Sequence, residues 1–310
     1  YWDQAYAMAV QADGKIVLAG MSSGNPSSTS HFALVRYNAD GSLDSTFDGD
    51  GKAVSSAGYS SEYISSVSIQ SDGKILAAGY GSVSGDIDFV LQRYNSNGSL
   101  DASFDGDGTI VIDSGGNESA RSVTTQPDGK ILVLGTGSTG SFLLRYQSDG
   151  SLDAGFGLAG RVETQLYSWD QAANSVILQP DGKILVAGTR YSEETDLDFA
   201  LVRYNSDGSL DVGFGDDGYV TTPVSNSADA GCSVKVQTDG KIVVAGGQYN
   251  ADASGSDFAL VRYNQDGTLD PSFVGGFLPD QVAFKHDAVN ITIPAGLFRS
   301  DRKSTRLNSS

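Results

Sequence analysis

Five near-copies of one decapeptide dominate the chain: QADGKIVLAG at residues 11–20, QSDGKILAAG at 70–79, QPDGKILVLG at 126–135, QPDGKILVAG at 179–188 and QTDGKIVVAG at 237–246. Asp-Gly is a favoured tight-turn pair, because glycine takes positive φ without steric cost. The Lys-Ile-Val/Leu run after it is strand-like in character. Each copy therefore predicts the tip and second strand of a β-hairpin. The turn residues Asp13, Asp72, Asp128, Asp181 and Asp239 recur 59, 56, 53 and 58 residues apart, which marks a repeat architecture.

A second block follows each copy. It reads HFALVRYNADGSLDSTF at 31–47, DFVLQRYNSNGSLDASF at 88–104, SFLLRYQSDGSLDAGF at 141–156, DFALVRYNSDGSLDVGF at 198–214 and DFALVRYNQDGTLDPSF at 257–273. A short third block closes the first four units: FDGDGKAV from Phe47, FDGDGTIV from Phe104, FGLAGRV from Phe156 and FGDDGYV from Phe214. In the fifth unit it has become FVGGFL. Each unit thus carries four strand candidates, for example 7–11, 15–20, 32–38 and 52–55. No stretch shows helical periodicity over ten or more residues. Four strands in units of 53 to 59 residues is the arithmetic of a β-propeller blade, with a β-solenoid of shorter coils as the alternative.

The expected fold is an all-β propeller over residues 1–278, with repeats at about 1–57, 58–114, 115–168, 169–226 and 227–278. Residues 279–300 are strand-like but off-pattern and read as an atypical tail or cap. The sequence DRKSTRLNSS at 301–310 matches nothing in the repeats and resembles a translated sequencing adapter, so it is read as non-native. The start, YWDQ, matches YSWDQ at 167–171 with one deletion, so the chain begins inside a repeat and reads as a piece of a longer one.

Hydrophobic residues make up 39% of the 310, enough to bury a substantial core, and the 39 glycines follow from the turns rather than from disorder. The net charge of −18 comes mainly from aspartate, much of it in Asp-Gly turns. That balance argues against nucleic acid or an anionic membrane, which need clustered Lys and Arg. No run of about 18 apolar residues is present, so no helical membrane insertion is expected. Cys232 is the only cysteine, which excludes an intrachain disulfide; it reads as a small core residue.

The pattern QxDGKIxxAG…FxLxRYNxDGSLDxxFxxxG resembles the bacterial delta-60 repeat, a propeller-like repeat of unassigned function. The resemblance covers about residues 1–275 in five consecutive copies. It implies a large bacterial protein, extracellular or displayed at the cell surface, and supplies no catalytic residues. Departures are Asn97 for Asp in the second unit, Gln147 for Asn in the third, one residue missing between Phe142 and Arg145, and the degraded stretch after Phe273.

Residues present in every unit read as structural. In FALVRYN, Phe32, Leu34 and Arg36 alternate onto one strand face, aimed at a layer between blades. An unpaired guanidinium there is costly, so a carboxylate is expected against it. The recurrent Leu-Asp pair supplies one per unit, predicting bridges Arg36–Asp44, Arg93–Asp101, Arg145–Asp153, Arg203–Asp211 and Arg262–Asp270. No cofactor or metal is expected. Calcium at the DGDG loops, 48–51 and 105–108, is the alternative, but the third unit has Gly-Leu-Ala-Gly in that place. His31 and His286, the only histidines, have no motif around them and read as surface or loop residues, leaving no material for a His-dependent triad. Asn97 and Asn117 fit the N-x-S/T pattern but read as turn or loop residues.

Antiparallel strands put the near-invariant Asp-Gly turns on one face and the loops between strands 2 and 3, and between units, on the other. Those second loops differ in every unit, and variable loops on a repeated scaffold are where binding is placed. Tyr80, Arg190, Tyr191, Glu193 and Tyr249 in the 2–3 loops, and Trp169 in a 4–1 loop, are the ligand-binding candidates. Tyr59, Tyr63 and Arg121 are assigned to the same face. Mixed aromatic and polar residues suit a protein or glycan partner. The expected function is a non-catalytic extracellular or cell-surface binding or scaffold module. The alternative is a propeller enzyme, a hydrolase or lyase acting on polysaccharide. Charged groups that break the symmetry at the axis would favour the enzyme; the same small residues from each blade would favour the scaffold.

Overall fold

The computed structural model describes residues 2–24, 29–138, 140–164, 166, 173–194, 196–224, 228–250 and 255–273, with β-strands and no helix among them. Blade 1 is β1 (Trp2–Val10), β2 (Ile16–Ser23), β3 (Ser30–Tyr37) and β4 (Lys52–Ser55). Blade 2 is β5 (Ser61–Ile69), β6 (Ile75–Val83), β7 (Asp86–Tyr94) and β8 (Thr109–Ile112). Blade 3 is β9 (Ser119–Thr125), β10 (Ile131–Gly137), β11 (Gly140–Tyr146) and β12 (Arg161–Thr164). Blade 4 is β13 (Ser175–Leu178), β14 (Ile184–Ser192), β15 (Asp196–Tyr204) and β16 (Tyr219–Thr222). Blade 5 contributes β17 (Asp229–Val236), β18 (Ile242–Asn250) and β19 (Gly255–Tyr263). Each blade is an antiparallel meander, and blades 1 and 2 are joined by one parallel bridge, Ser30 to Ser61. The tail at 279–300, the segment 301–310 and His286 lie outside the described residues.

The decapeptide turn is built as its residues dictate. In blade 2, Gln70 N–H donates to the Lys74 carbonyl and Gly73 N–H to the Gln70 carbonyl. Gly73 sits at φ 84°, and the Asp72 carboxylate accepts the Lys74 N–H at 3.0 Å. The last glycine of the decapeptide has a different task. The first strand bulges between Ile64 and Ser66, and its backbone folds over Gly79. A Cβ on Gly79 would lie 1.9 Å from the Tyr63 carbonyl oxygen, so only glycine admits the bulge.

First strands line the axis: β1 packs on β5, β5 on β9, β9 on β13 and β13 on β17. A serine on each of three inner strands accepts an N–H from the next blade: Ser66 from Val123, Ser122 from Val176 and Ser175 from Val234. Further out, Phe32, Leu34 and Phe47 of blade 1 pack against Ile75, Ala77 and Val90 of blade 2. Position in the array sets burial. In β3 buried residues alternate with half-buried ones, whereas β7 is buried continuously from Asp88 to Tyr94, because blade 2 has a neighbour on both sides.

Two expectations are corrected. The 2–3 connections are mostly strand: β6 and β7 are separated only by Ser84 and Gly85, at φ 56° and 92°, a two-residue hairpin turn. Cys232 is exposed rather than in the core, because it is the extra residue of the β17 bulge.

Candidate functional site

The repeated charges form a Lys–Asp–Arg unit in every blade. Arg36, Arg93, Arg145, Arg203 and Arg262 place Nε 2.6 to 2.8 Å from Oδ2 of Asp44, Asp101, Asp153, Asp211 and Asp270 respectively. The decapeptide lysines Lys15, Lys74, Lys130, Lys183 and Lys241 reach the same oxygens at 2.5 to 2.9 Å. Each guanidinium also lies over the ring of the phenylalanine that closes its block, 4.3 to 4.6 Å from the centroid. Among the described residues, four of the five donate to a backbone carbonyl of the following blade: Arg36 to Ser96, Arg93 to Ser148, Arg145 to Ser206 and Arg203 to Gln265. These arginines fasten blade to blade, which is why they recur. Burial pushes the Asp101 carboxyl up, and hydrogen bonds from Lys74 and Ser103 outweigh it, holding the group well below the usual carboxylate range.

A second recurrent acid escapes sequence reasoning. Asp3, Glu62, Glu118 and Asp229 each stand eight residues before the decapeptide glutamine, where the fourth unit has Gln171. Glu62 is fully buried, and its Oε1 accepts from the Ser56 hydroxyl and the Ala57 and Tyr59 N–H groups. Glu118 takes the Ser114 hydroxyl, and Asp229 the Val224 N–H. These carboxylates pin the connections between blades. The fixed spacing was the available signal. Asp3, on β1 of blade 1, is exposed and accepts from the Ser22 hydroxyl. His31 is not in a loop: it stands half-buried on β3, with Nδ1 3.4 Å from Glu62 Oε2.

The ligand-binding candidates whose side chains are described stand in two blades, Tyr80 in blade 2 and Arg190, Tyr191 and Glu193 in blade 4. Tyr80 lies on β6. Arg190 and Tyr191 lie on β14, with Tyr191 exposed and the Arg190 guanidinium 5.7 Å from the Tyr219 ring centroid. Glu193 is exposed at the β14–β15 turn. Tyr249 is on β18, with its side chain outside the described residues, as is all of Trp169. Tyr63 and Arg121 sit on strands β5 and β9, not in loops.

What does assemble is an aromatic group at the axial mouth on the hairpin-tip side. Tyr63 and Tyr80 are cross-strand partners, with ring centroids 5.2 Å apart and planes at 25°. Tyr6, the extra residue of the β1 bulge and 52% exposed, adds a tilted ring 6.5 Å from Tyr63. Burial and Tyr63 push the Tyr80 hydroxyl up, with Arg121 acting against them. The bulge positions differ from blade to blade, with Tyr6, Ser65, Arg121 and Cys232 in blades 1, 2, 3 and 5, so this mouth breaks the repeat symmetry. Below it, a cavity of about 360 Å³ is walled by first-strand residues, chiefly Ser65, Ser66, Ser68, Ser122, Thr124 and Ser175, with Lys235 the one ionisable group among the described residues.

The fold is shared with solved structures of low sequence identity. A protein of unknown function from Dyadobacter fermentans DSM 18053 aligns at TM-score 0.52 and 12% identity, over 83% of this chain and 78% of that one. A polysaccharide lyase, the PL25 ulvan lyase bound to -[GlcA(1-4)Rha3S]-, aligns at TM-score 0.51 and 10% identity, over 85% of this chain and 68% of that one. No curated protein matches the chain in sequence. Five segments, 11–47, 70–104, 126–156, 179–214 and 237–273, match one family model and span the turn, the second and third strands and the Lys–Asp–Arg unit of each blade. The chain belongs to the family described as a domain of unknown function, the DUF5122 beta-propeller.

Proposed function

We propose that this propeller is a non-catalytic binding module, extracellular or at the cell surface, that takes a glycan or protein ligand on its hairpin-tip face. The observation that carries the reading is the Tyr6–Tyr63–Tyr80 group beside Arg121 at the axial mouth. Aromatic faces with a polar edge bind sugar rings and protein side chains alike, and a stacked pair is preorganised. The serine-walled cavity beneath supports a binding role over a catalytic one, since its described wall residues bring together no acid–base pair. The tests are a glycan array and a parallel assay for polysaccharide depolymerisation. We expect saturable binding without turnover. Tyr63→Ala and Tyr80→Ala should each weaken binding about tenfold, roughly 1.4 kcal/mol, with unchanged circular dichroism. Depolymerisation that survives purification would replace this reading with the hydrolase or lyase alternative.

A further inference from the structure

Blade 2 carries three carboxylates found together in no other blade among the described residues. Asp86 and Asp88 share one face of β7, and Asp113 immediately follows β8. Because Phe89 pairs with Ile112, the antiparallel register brings Asp113 opposite Asp88. One oxygen from each of the three lies within 4.8 Å of the others. Like charges facing each other across strands destabilise a sheet. Asp88 is also only 4% exposed, and its Oδ1 has no hydrogen-bond partner. An orphaned carboxylate oxygen in a buried setting is costly unless something positive reaches it. Burial raises the Asp88 pKa; Tyr59 opposes the rise, and Asp113, Asp86 and Glu118 add to it.

The surroundings hold the three in place. Ser84 and Gly85 form the tight turn that delivers Asp86. Glu118 N–H donates to the Ile87 carbonyl, tying the connection after β8 onto β7. Asp113 Oδ1 accepts the Gly115 N–H at 2.9 Å. Gly81 is the β6 partner of Asp88, and the Tyr59 ring lies where a Cβ of Gly81 would be, which lets its hydroxyl reach Asp88.

We propose that Asp86, Asp88 and Asp113 bind a calcium ion that clips the β6–β7 hairpin to the connection between blades 2 and 3. Calcium takes oxygen ligands at about 2.3–2.6 Å, so ligands on opposite sides of one ion stand about 5 Å apart. The observed spread fits within that span. A divalent ion offsets most of the triple negative charge and supplies a partner for the orphaned oxygen, with waters completing the shell. Blade 4 provides an internal control: Asp196 and Asp198 repeat the Asp-x-Asp, but Pro223 stands where blade 2 has Asp113.

The test uses the full chain stripped with chelator. Terbium luminescence sensitised through Tyr59 reports the site, calcium competes it away, and calorimetry counts the ions. We expect one site per chain, a thermal midpoint raised by calcium, and loss of both in Asp113→Asn by tenfold or more in affinity. Asp196→Asn in blade 4 should bind as the unaltered chain does. Asp86→Asn, at an exposed position, repeats the test if Asp113→Asn fails to fold. No saturable terbium or calcium binding up to 1 mM would overturn the proposal, as would an Asp113→Asn chain that binds normally. Equal affinity for magnesium would overturn the assignment to calcium.

Discussion

At the scale of single residues, the most heavily used group is the aspartate of the Leu-Asp pair. Asp101 accepts from Arg93 and Lys74 through one oxygen, and from the Ser103 N–H and hydroxyl through the other. Removing it leaves a buried guanidinium without its counter-charge. Asp101→Ala should cost about 3 kcal/mol, the low end of the range for breaking a buried pair, because Lys74 stays partly exposed and can be resolvated. Urea denaturation measures this. The pH dependence follows from the same groups. The folded-state pKa values of Asp44, Asp101, Asp153, Asp211 and Asp270 are depressed. Their contribution is therefore complete above the unfolded value near 3.9 and is lost as pH falls from there through the folded values. Thermal midpoints should hold steady from neutral pH down to about 4 and drop below it. A drop already complete at pH 5 would contradict these pairings. The arginine and its aspartate were legible in the sequence, because alternation aims Arg36 at a buried layer. The lysine was not: Lys15 and Asp44 are 29 positions apart, and only the fold of the blade brings them together.

At the scale of the strand, the inner strands of blades 1, 2, 3 and 5 carry a bulge that the sequence conceals. Ser66 and Ser122 follow the register shifts of β5 and β9 and present their hydroxyls to the next blade, and Ser175 makes the same bond from β13. Ser122→Ala removes the acceptor of the Val176 N–H and should cost about 1 kcal/mol, with faster hydrogen exchange at that one amide. An unchanged exchange rate there would show that the ladder does not hold. Strand existence could be read from β-branched runs and Asp-Gly turns. Strand ends could not: β6 runs on to Val83 and β14 to Ser192, because cross-strand pairing extends hairpins into polar sequence. That is why residues assigned to variable loops, Tyr63, Tyr80 and Arg121 among them, stand on strands instead.

At the scale of the whole molecule, identical residues differ according to their neighbours. Phe32, Phe89, Phe142 and Phe199 are at most 1% exposed, while Phe258 at the same place in blade 5 is 88% exposed. Phe142→Ala should cost about 3–5 kcal/mol, and Phe258→Ala should stay within about 0.5 kcal/mol. Equal costs would mean that the face of blade 5 is covered in solution. Arg262 tells the same story, since among the described residues its Nη1 meets Gln237 of its own blade.

The sequence by itself determined the repeat, its four strands, its two Asp-Gly turns and the pairing of Arg36 with Asp44, because these rest on short-range stereochemistry and on alternation along a strand. The tertiary structure decided what lies between blades and at the axis. Tyr6, Tyr63 and Tyr80 meet because a bulge and a cross-strand register bring them together. Asp86, Asp88 and Asp113 meet because one hairpin and one connection close on the same face. Neither group has a spacing to read, since contact between strands depends on register, and register is set by the packing of the whole blade.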